Sequence, residues 1–461
     1  MSVLFNDPII PVQEKGRRIP IHILPNVEQE LVKLQKEGHI TKLDNCTDDF
    51  FIAPIVITAK RDNSIKLALD AKPVNAQIRK NKYQMPNLHE LMDRAGQIIA
   101  NRKPGEQVWF SSLDLNYAYS QIPLSEKTSK HCNFSIVGGK ATGTYRFKTG
   151  FYGLTDMPTE FQKAMDRTLD GCLNSLCYLD DVLVCSVGTA EQHNELTEAA
   201  LLRLYNEGFS LKLSKCQFSV HEIEWLGFVL DSEGVRPIHS KVEDILNIKP
   251  PKTLSKLRSF MGSVNHLNSF IPNAQMYTAK FKDSLSKENK KKFYWSSVQT
   301  EAFEELKKLI ANITNNYYYS TSRETRLKCD ASKSGLGACL EQKLDDGRWV
   351  PISFASRQLN AAENKYSTSE LELLAVVWST HHFRYYLLGN RFELITDHKA
   401  LLSALRNNRA NKTYQSRLVR WVDKLLPFDF KVTHLAGSEM GITDYLSRDA
   451  SGPPEPESNY D

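Results

Sequence analysis

Residues 176–185 read LCYLDDVLVC, so two adjacent carboxylates, Asp180 and Asp181, interrupt two apolar, β-prone runs. The apolar residues on both sides predict a hairpin whose bend carries the acids. Buried charge is strongly disfavoured unless a cation or partner neutralises it, so we expect a divalent metal there. Because adjacent strand residues point to opposite faces, a turn must bring both carboxylates to one cleft, where a third acid joins them. Asp114, in the run SLDL, is the candidate third acid.

The composition predicts a globular chain with more than one domain. Its 461 residues suggest about three or four domain-sized units. Hydrophobic residues make up 41% and charged residues 25%, and we expect neither a membrane segment nor a secretory signal. The eight cysteines form no Cys-x-x-Cys pair, and Cys177, Cys185, Cys329 and Cys339 lie in apolar runs. We therefore expect small buried side chains and a reducing, intracellular compartment.

A second series of spaced acids begins after residue 327. Strand-like residues end at Asp330 and again at Asp397, and carboxylates at the ends of neighbouring strands can converge on one edge of a sheet. Glu372 lies near the start of a helical run and can join them, and Asp444 supplies a fourth acid. This order of strands, helices and acids predicts a second metal-dependent site.

Apolar periodicity and helix-breaking residues divide the chain into segments. Pro250-Pro251 breaks the chain, and the polar, Tyr-rich stretch 315–326 predicts a joint between two parts. A turn is predicted at Gly335 and Gly337. The predicted helices cover 27–36, 159–169, 255–268, 301–310 and 371–387, and the predicted strands outside the Asp-Asp hairpin cover 50–60, 65–69, 327–329 and 392–396.

Asp114 followed by Tyr178-Leu179-Asp180-Asp181 resembles the catalytic core of a reverse transcriptase, with its Tyr-x-Asp-Asp signature. Further strings match in the same order over nearly the whole chain and resemble the polymerases of gypsy-type LTR retrotransposons (Metaviridae). Each string is weak alone, but so many in one order are very improbable by chance. The strings are Asn75 after Asp70, Tyr152-Gly153-Leu154 before Pro158, Lys215-Cys216-Gln217-Phe218, Trp225-Leu226-Gly227, and Phe260-Met261-Gly262 before Phe270-Ile271-Pro272.

The resemblance implies an α+β chain in which a right-hand polymerase, with fingers, palm and thumb, precedes an α/β ribonuclease H-like domain. The implied boundaries are 1–249 for fingers and palm, 250–314 for the thumb, 315–326 for the joint, 327–450 for the ribonuclease H domain and 451–461 for a disordered tail. Protease and integrase patterns are absent from the sequence, so we expect the chain to be the middle part of a longer polyprotein.

The implied activities are RNA- and DNA-templated DNA synthesis and cleavage of RNA in RNA–DNA hybrids, for replication of an LTR retroelement. Two Mg²⁺ ions per active site, with Mn²⁺ as a substitute, would be held by seven acids that are both catalytic and metal-binding candidates. These acids are Asp114, Asp180 and Asp181 in the polymerase site, and Asp330, Glu372, Asp397 and Asp444 in the ribonuclease H site.

The resemblance also implies contacts to the incoming nucleotide. Tyr119 is the candidate steric gate, because an aromatic ring under the sugar would clash with a 2′-hydroxyl. Lys215 would protonate the departing pyrophosphate. The other nucleotide-binding candidates are Tyr152, which would line the pocket, and basic residues of the fingers hairpin, Lys60 or Arg61 and Lys66, which would bind the triphosphate.

Two departures from the family pattern concern phosphate contacts. Lys66 and Lys72 stand where relatives commonly have arginine, and lysine lacks the planar fork that bonds phosphate at two points, which predicts weaker nucleotide binding. Asn268-Ser269 replaces the usual Arg-Arg pair and removes two potential phosphate contacts, which predicts a flatter salt dependence of binding.

Several alternatives stay open. Glu370 rivals Glu372, which we prefer because its Glu-Leu-Leu-Ala run matches the family. His434, ten positions before Asp444, matches a mobile-loop histidine of related ribonucleases H that shuttles protons or assists product release, and is otherwise a packed or surface residue. A non-catalytic nucleic-acid-binding subunit is a different-class alternative, and the seven intact acids argue against it. A plant pararetrovirus polymerase would share the same layout.

The implied partners are template–primer duplexes, both DNA and RNA–DNA hybrid, and deoxyribonucleoside triphosphates, with no membrane. Relatives act as monomers or as asymmetric dimers, so an asymmetric homodimer on substrate is left open. The net charge of +5 is mild for a nucleic-acid enzyme, so basic contact surfaces have to be local, as at 287–292 and Arg417/Arg420. The expected location is intracellular and cytoplasmic, within virus-like particles.

Overall fold

The computed structural model describes residues 1–44, 51–59, 65–79, 81–100, 102–103, 105–285, 293–333, 335–406 and 416–435. The chain divides into two compact units. The first comprises Met1–Ala95 and Glu106–His221, and the second comprises Gly96–Gly105 and Glu222–Asp461. Both units mix helices and sheets, which confirms the predicted mixed fold class. The domain boundaries implied by the resemblance stay predictions.

The first unit contains two sheets and several helices. Its strands are β1 (Ile40–Leu43), β2 (Ile52–Ala59), β3 (Ile65–Leu69), β4 (Gln107–Asp114), β5 (Asn133–Ile136), β6 (Gly143–Phe147), β7 (Ser175–Tyr178), β8 (Asp181–Gly188) and β9 (Gln217–Val220). Its helices are α1 (Leu24–Lys36), α2 (Lys72–Asn75), α3 (Leu88–Ala100, divided between the units), α4 (Glu126–Ser129), α5 (Met157–Thr168) and α6 (Ala190–Asn206), with 3₁₀ turns at Ala118–Gln121 and Leu213–Lys215.

The two sheets of the first unit differ in their order. One sheet has the order β1-β6-β5-β2-β3, and its antiparallel β2–β3 pair matches the predicted fingers hairpin. The other has the order β7-β8-β4-β9 and is antiparallel throughout. The run Val182–Cys185 of β8 is fully buried, and α6 packs on β8 and β4. The Asp-Asp bend therefore extends from a rigid, close-packed sheet.

The second unit also contains two sheets. Its strands are β10 (Ile223–Trp225), β11 (Phe228–Leu230), β12 (Gly234–Pro237), β13 (Asn316–Tyr317), β14 (Thr325–Ala331), β15 (Gly335–Lys343), β16 (Trp349–Gln358), β17 (Phe392–Thr396) and β18 (Phe430–His434). Its helices are α7 (His239–Leu246), α8 (Leu254–His266), α9 (Ala274–Thr278), α10 (Lys282–Leu285), α11 (Ser297–Ala311), α12 (Thr368–His382), α13 (Arg384–Leu387), α14 (Lys399–Arg406) and α15 (Ser416–Asp423), with 3₁₀ turns at Asn268–Phe270, Ala279–Phe281 and Glu363–Lys365.

The larger sheet of the second unit has the order β16-β15-β14-β17-β18. The pairs β14–β17 and β17–β18 are parallel, and the other two pairs are antiparallel. Helix α12 packs on β14 and β15. It begins at a capping box in which Ser367 and Glu370 satisfy each other's backbone N–H groups, so its start is fixed relative to the sheet.

The predicted turn is present at Gly335, the first residue of β15, where the Ser332 N–H donates to the Gly335 carbonyl oxygen at 2.9 Å. The prediction is wrong for Gly337, which lies within β15 and pairs with Asp330. A Cβ at Gly335 would approach the carbonyl oxygen of Arg357 to 2.7 Å, and a Cβ at Gly337 would collide with the Asn273 side chain. Close approach of neighbouring groups therefore favours glycine at both positions. The start of the predicted joint is also a strand, since Asn316–Tyr317 pairs with β12.

Four cysteines were predicted to be buried, and the structure confirms this. At most 7% of the surface is exposed in each of Cys177, Cys185, Cys329 and Cys339. None of the helices in the described ranges combines the length and the apolar character that crossing a membrane requires.

Candidate active sites

The β7–β8 hairpin carries Asp180 and Asp181 at its bend, as the sequence predicts. Tyr178 pairs with Asp181 across the hairpin, so Leu179 and Asp180 form a two-residue turn. On its other side β8 pairs with β4 in a register that places Asp114 opposite Asp181. The structure therefore brings all three predicted polymerase-site acids to one end of this sheet.

The backbone of this turn is strained at Leu179. Its φ is 55°, in the left-handed region that a residue with a side chain rarely adopts. Its N–H donates to Oε1 of Gln162 at 2.7 Å, and the Cys177 thiol donates to its carbonyl oxygen at 3.1 Å. Strain of this kind persists where surrounding groups hold it, and it is concentrated at functional sites.

Like charges accumulate at the end of β4 and β8. Burial, followed by the charges of Asp180 and Asp114, raises the pKa of Asp181 to about 6. The Lys215 Nζ lies 2.9 Å from Asp114 Oδ2, and this hydrogen bond raises the pKa of the lysine. One lysine cannot neutralise three carboxylates, so the cluster favours binding of a further cation.

The predicted gate tyrosine lies in an aromatic group beside the acids. The Tyr119 ring centroid is 4.9 Å from that of Tyr152 and 5.5 Å from that of Phe161. Burial, followed by the nearby Tyr152 and Asp180, raises the pKa of Tyr119 to about 12, so its hydroxyl stays protonated at neutral pH. Tyr152 is 39% exposed, which leaves one face of this group accessible to a ligand.

The segment after Tyr152 is fixed against the fingers hairpin. Leu69 N–H donates to the Tyr152 carbonyl oxygen at 2.9 Å, and Asn75 Nδ2 donates to the Gly153 carbonyl oxygen at 2.8 Å. Gly153 has a φ of 116°, and a Cβ there would collide with the Leu69 carbonyl group, so only glycine fits. Lys66 lies on β3 opposite Thr58, whereas Lys60 and Arg61 lie outside the described residues.

The second group of acids lies where β14, β17 and α12 meet. The parallel register pairs Lys328 with Ile395, so Asp330 and Asp397 follow at the same edge of the sheet. Burial, followed by the charges of Asp397 and Asp330, raises the pKa of Glu372 to about 8. Burial and then Asp397 also raise the pKa of Asp330. The structure therefore brings together three of the four predicted acids, and Asp444 lies outside the described residues.

The two rival glutamates of α12 have different surroundings. Glu372 is 5% exposed, and its Oε2 is buried without a hydrogen-bond partner. Glu370 belongs to the capping box, accepts the Ser367 N–H at 2.8 Å and forms an ion pair with Arg417. The backbone hydrogen bond from Ser367 is the main cause that lowers the pKa of Glu370. Glu370 is engaged in fixing the helix start, whereas Glu372 faces the other acids.

His434 lies at the end of strand β18, opposite Thr396 in the parallel register, and not in a loop. Its Nε2 is 3.0 Å from the carbonyl oxygen of Asp397, so this nitrogen is the donor. The histidine therefore contacts the backbone of one of the clustered acids through a fixed position on the sheet.

The donor chemistry of both clusters fits a hard divalent cation. Carboxylate oxygens are the ligands that Mg²⁺ and Mn²⁺ prefer, and the partnerless Oε2 of Glu372 is a buried acceptor that a cation would satisfy. Within the described ranges, no group of three or more His, Cys, Asp or Glu side chains is arranged so that it could hold a metal ion as it stands. The fit therefore rests on charge and donor type rather than on a closed set of ligands.

Gln162 is a residue that sequence reasoning missed. It is fully buried on α5, and its side-chain amide forms hydrogen bonds with the backbone of the β7–β8 hairpin. A signal was present, because Asp166 follows it by four positions on the same helix face and an amide–carboxylate pair at that spacing is favourable.

Both parts of the chain match models of known protein families. Residues 58–230 match the model of "Reverse transcriptase (RNA-dependent DNA polymerase)", and residues 320–428 match the "RNase H-like domain found in reverse transcriptase". The two acid clusters lie within these two matches, apart from Asp444. Both families generally use divalent metals, in keeping with the acid-rich sites.

The chain is similar in sequence to transposon polyproteins. The Tf2-3 and Tf2-7 polyproteins of Schizosaccharomyces pombe are each 29% identical to this chain over 399 residues, which is 86% of the chain. The chain spans only 29% of the length of each of these relatives.

The solved structures that share this fold include foamy viral enzymes. The foamy viral protease-reverse transcriptase in complex with dsDNA is 19% identical, with a TM-score of 0.78 over 94% of this chain and 87% of that one. The same enzyme in complex with an RNA/DNA hybrid is 20% identical, with a TM-score of 0.71 over 98% of this chain and 58% of that one. These matches confirm the predicted fold class.

The fold and the matched models define the class: a reverse transcriptase domain followed by a ribonuclease H-like domain. The similar proteins are polyproteins of LTR retrotransposons, which confirms the resemblance to the gypsy type that the sequence motifs predict.

Proposed function

We propose that the chain synthesises DNA on RNA and DNA templates and cleaves RNA in RNA–DNA hybrids, as part of the replication of an LTR retroelement. The observation that carries this proposal is the pair of acid clusters, one in each matched domain. Each cluster contains a carboxyl group with a strongly raised pKa, Asp181 at about 6 and Glu372 at about 8. Carboxylates held together against their own repulsion are the signature of a cation site.

In the polymerase site, Asp114, Asp180 and Asp181 would hold two Mg²⁺ ions, with Mn²⁺ as a substitute. The bound cations supply activation of the primer 3′-hydroxyl and neutralisation of the triphosphate. Lys215 would donate a proton to the departing pyrophosphate. Its hydrogen bond to Asp114 and its raised pKa support this role, because they keep the lysine charged and beside the acids.

Nucleotide binding would involve the aromatic group and the fingers hairpin. Tyr119 would exclude ribonucleotides, since its ring is packed between Tyr152 and Phe161 and cannot swing away without breaking both contacts. Tyr152 would line the pocket with its accessible face. Lys66 and either Lys60 or Arg61 would bind the triphosphate.

In the ribonuclease H site, Asp330, Glu372 and Asp397 would hold the same kind of cations, with Asp444 as the fourth ligand. The carboxylates would hold the cations, which when bound supply positive charge for the scissile phosphate of the RNA strand. We assign His434 the task of positioning Asp397, because its ring donates to the Asp397 backbone and is not free to shuttle protons through that nitrogen.

The proposed substrates are template–primer duplexes of DNA or RNA–DNA hybrid and deoxyribonucleoside triphosphates. The solved enzymes that share the fold are in complex with dsDNA or with an RNA/DNA hybrid, which supports the choice of duplexes. The relatives are transposon polyproteins, which supports action in the cytoplasm within virus-like particles. Assembly as an asymmetric homodimer on substrate is the form to compare with a monomer.

The test is primer extension on RNA and DNA templates with Mg²⁺, run beside cleavage of a labelled RNA–DNA hybrid by the same preparation. We expect both activities, both lost with EDTA and both restored by Mg²⁺ or Mn²⁺. Asp330→Asn, purified in parallel, is the control. Any hybrid cleavage that remains in this variant measures contaminating host ribonuclease H. Absence of extension on both templates, or hybrid cleavage no greater than that of Asp330→Asn, would overturn the corresponding half of the proposal.

A further inference from the structure

Gln162 forms three hydrogen bonds from a fully buried position on α5. Its Oε1 accepts the N–H of Leu179 at 2.7 Å. Its Nε2 donates to the Cys177 carbonyl oxygen at 3.1 Å and to Asp166 Oδ1 at 2.9 Å. Leu179 and Cys177 flank Tyr178, directly before the two catalytic-site aspartates. One side chain outside the acid cluster therefore holds the backbone on both sides of Tyr178, where β7 ends and the turn begins.

The bond to Leu179 acts on the strained residue of the turn. A left-handed φ costs a residue with a Cβ about 1–2 kcal/mol, so the turn keeps this shape only if neighbouring groups hold it. The Leu179 N–H is held by Gln162 and its carbonyl oxygen by the Cys177 thiol. Without Gln162, a partly buried N–H would lose its partner, and one of the two side-chain hydrogen bonds that hold Leu179 would be lost.

The orientation of the Gln162 amide is fixed by a second pair of residues. Asp166 offers only acceptor oxygens, so the amide has to turn its Nε2 toward Asp166 and its Oε1 toward Leu179. The other oxygen of Asp166 accepts a hydrogen bond from the Tyr83 hydroxyl. Tyr83, Asp166 and Gln162 thus form a continuous chain of hydrogen bonds that ends on the catalytic turn.

We propose that Gln162 is the positioning residue of the polymerase site, and that Asp166 and Tyr83 hold its amide in the one orientation that supports the turn. This inference rests on the proposed polymerase activity and deepens it. Gln162 touches neither cation nor substrate; it acts by setting where Asp180 and Asp181 stand relative to Asp114.

The decisive variant is Gln162→Met, which keeps the volume and removes all three hydrogen bonds. We expect kcat for extension to fall by about 10- to 100-fold, as when catalytic groups are displaced by about 1 Å, with KM for nucleotide changed by less than about 3-fold. Hybrid cleavage by the same preparation should stay near wild type, because the second acid cluster is unaffected.

Gln299→Met is the matched control. Gln299 is also a buried glutamine with three hydrogen bonds, to Ser296, Lys280 and Ser284, but it lies on α11 of the second unit. A comparable loss of stability is expected from both substitutions. If Gln299→Met reduces kcat for extension as much as Gln162→Met does, the effect is general destabilisation and the positioning role is overturned.

A second series tests the support without touching Gln162. Asp166→Asn keeps an acceptor for Nε2 and should retain extension within about 3-fold, whereas Asp166→Leu should approach the defect of Gln162→Met. This series also decides the matter if Gln162→Met does not fold. Wild-type extension by both Gln162→Met and Asp166→Leu would overturn the inference alone, whereas a wild-type chain without extension would overturn the proposed function itself.

Discussion

Replacing Glu372 by glutamine should stabilise the metal-free protein, although most substitutions of buried residues destabilise. Glu372 is 5% exposed, and burial with the neighbouring Asp397 and Asp330 raises its pKa from 4.5 to about 8. The folded protein favours the protonated form of Glu372. The stability that this form provides is fully present below about pH 4.5 and is lost as the pH rises through about 8. The neutral amide of Glu372→Gln does not carry this penalty.

The size of the stability change follows from the difference between the ordinary pKa of 4.5 and the pKa of about 8 in the folded protein. At about 1.36 kcal/mol per pKa unit, the carboxyl group costs the fold about 3 kcal/mol at pH 7 and about 5 kcal/mol well above pH 8. We therefore expect Glu372→Gln to raise the free energy of unfolding of the second unit by up to about 3 kcal/mol at pH 7. Hybrid cleavage should nevertheless fall by about 100-fold or more, because a metal-ligating charge is lost.

Glu370→Gln is the matched control two residues earlier on the same helix. Glutamine can still accept the Ser367 N–H, but it loses the ion pair with Arg417, so a loss of about 0.5–1 kcal/mol is expected. Hybrid cleavage by Glu370→Gln should stay near wild type. The two substitutions therefore have opposite signs in stability and opposite outcomes in activity.

The assay is calorimetric unfolding of the full chain in EDTA at pH 6, 7 and 8, repeated with Mg²⁺. In EDTA, the difference in unfolding temperature between Glu372→Gln and wild type should grow with pH. Mg²⁺ should raise the unfolding temperature of the wild type more than that of the variant. If Glu372→Gln unfolds at a lower temperature than wild type at every pH in EDTA, the buried like-charge cluster is refuted. A cleavage defect in Glu370→Gln instead would show that our choice between the glutamates is wrong.

Three further predictions concern the polymerase site. Tyr119→Ala should raise incorporation of ribonucleotides relative to deoxyribonucleotides, measured as the ratio of kcat/KM values, and an unchanged ratio in a folded protein would make Tyr119 a packing residue. Lys66→Arg should lower KM for nucleotide by about 2- to 3-fold by restoring a two-point phosphate contact, and a raised KM would show adaptation of the fingers to lysine. Lys215→Ala removes a cation whose charge lowers the pKa of Asp181, so that pKa should rise further above about 6 and the acidic limit of extension should move to higher pH. An unmoved limit would contradict this.

The hairpin of residues 176–185 could be predicted because its signal is local. Apolar runs flank a polar bend, and this pattern alone specifies two paired strands. The left-handed backbone of Leu179 could not be predicted, since leucine does not favour it. The two-residue turn requires a positive φ at its first residue, and Leu179 is held there by a hydrogen bond to Gln162, 17 positions earlier, which exists only in the folded chain.

In the ribonuclease H site, too, local features could be predicted from the sequence, whereas contacts between distant segments could not. The Ser367-x-x-Glu370 capping box is a local signature, and it could have assigned Glu370 to the helix start from the sequence alone. Gly337 was wrongly predicted as part of the turn at Gly335, because glycine also occurs where another chain segment approaches closely. That approach involves Arg357 and Asn273, which no local pattern connects to these glycines.

The central claim is that the chain carries two separate active sites, each built on its own acid cluster. The most direct measurement places Asp181→Asn and Asp397→Asn in both assays, extension of a pre-annealed primer and cleavage of a labelled hybrid. The account predicts that Asp181→Asn loses extension and keeps cleavage, whereas Asp397→Asn loses cleavage and keeps extension. Loss of both activities in either variant, or normal extension by Asp181→Asn at saturating nucleotide, would contradict it.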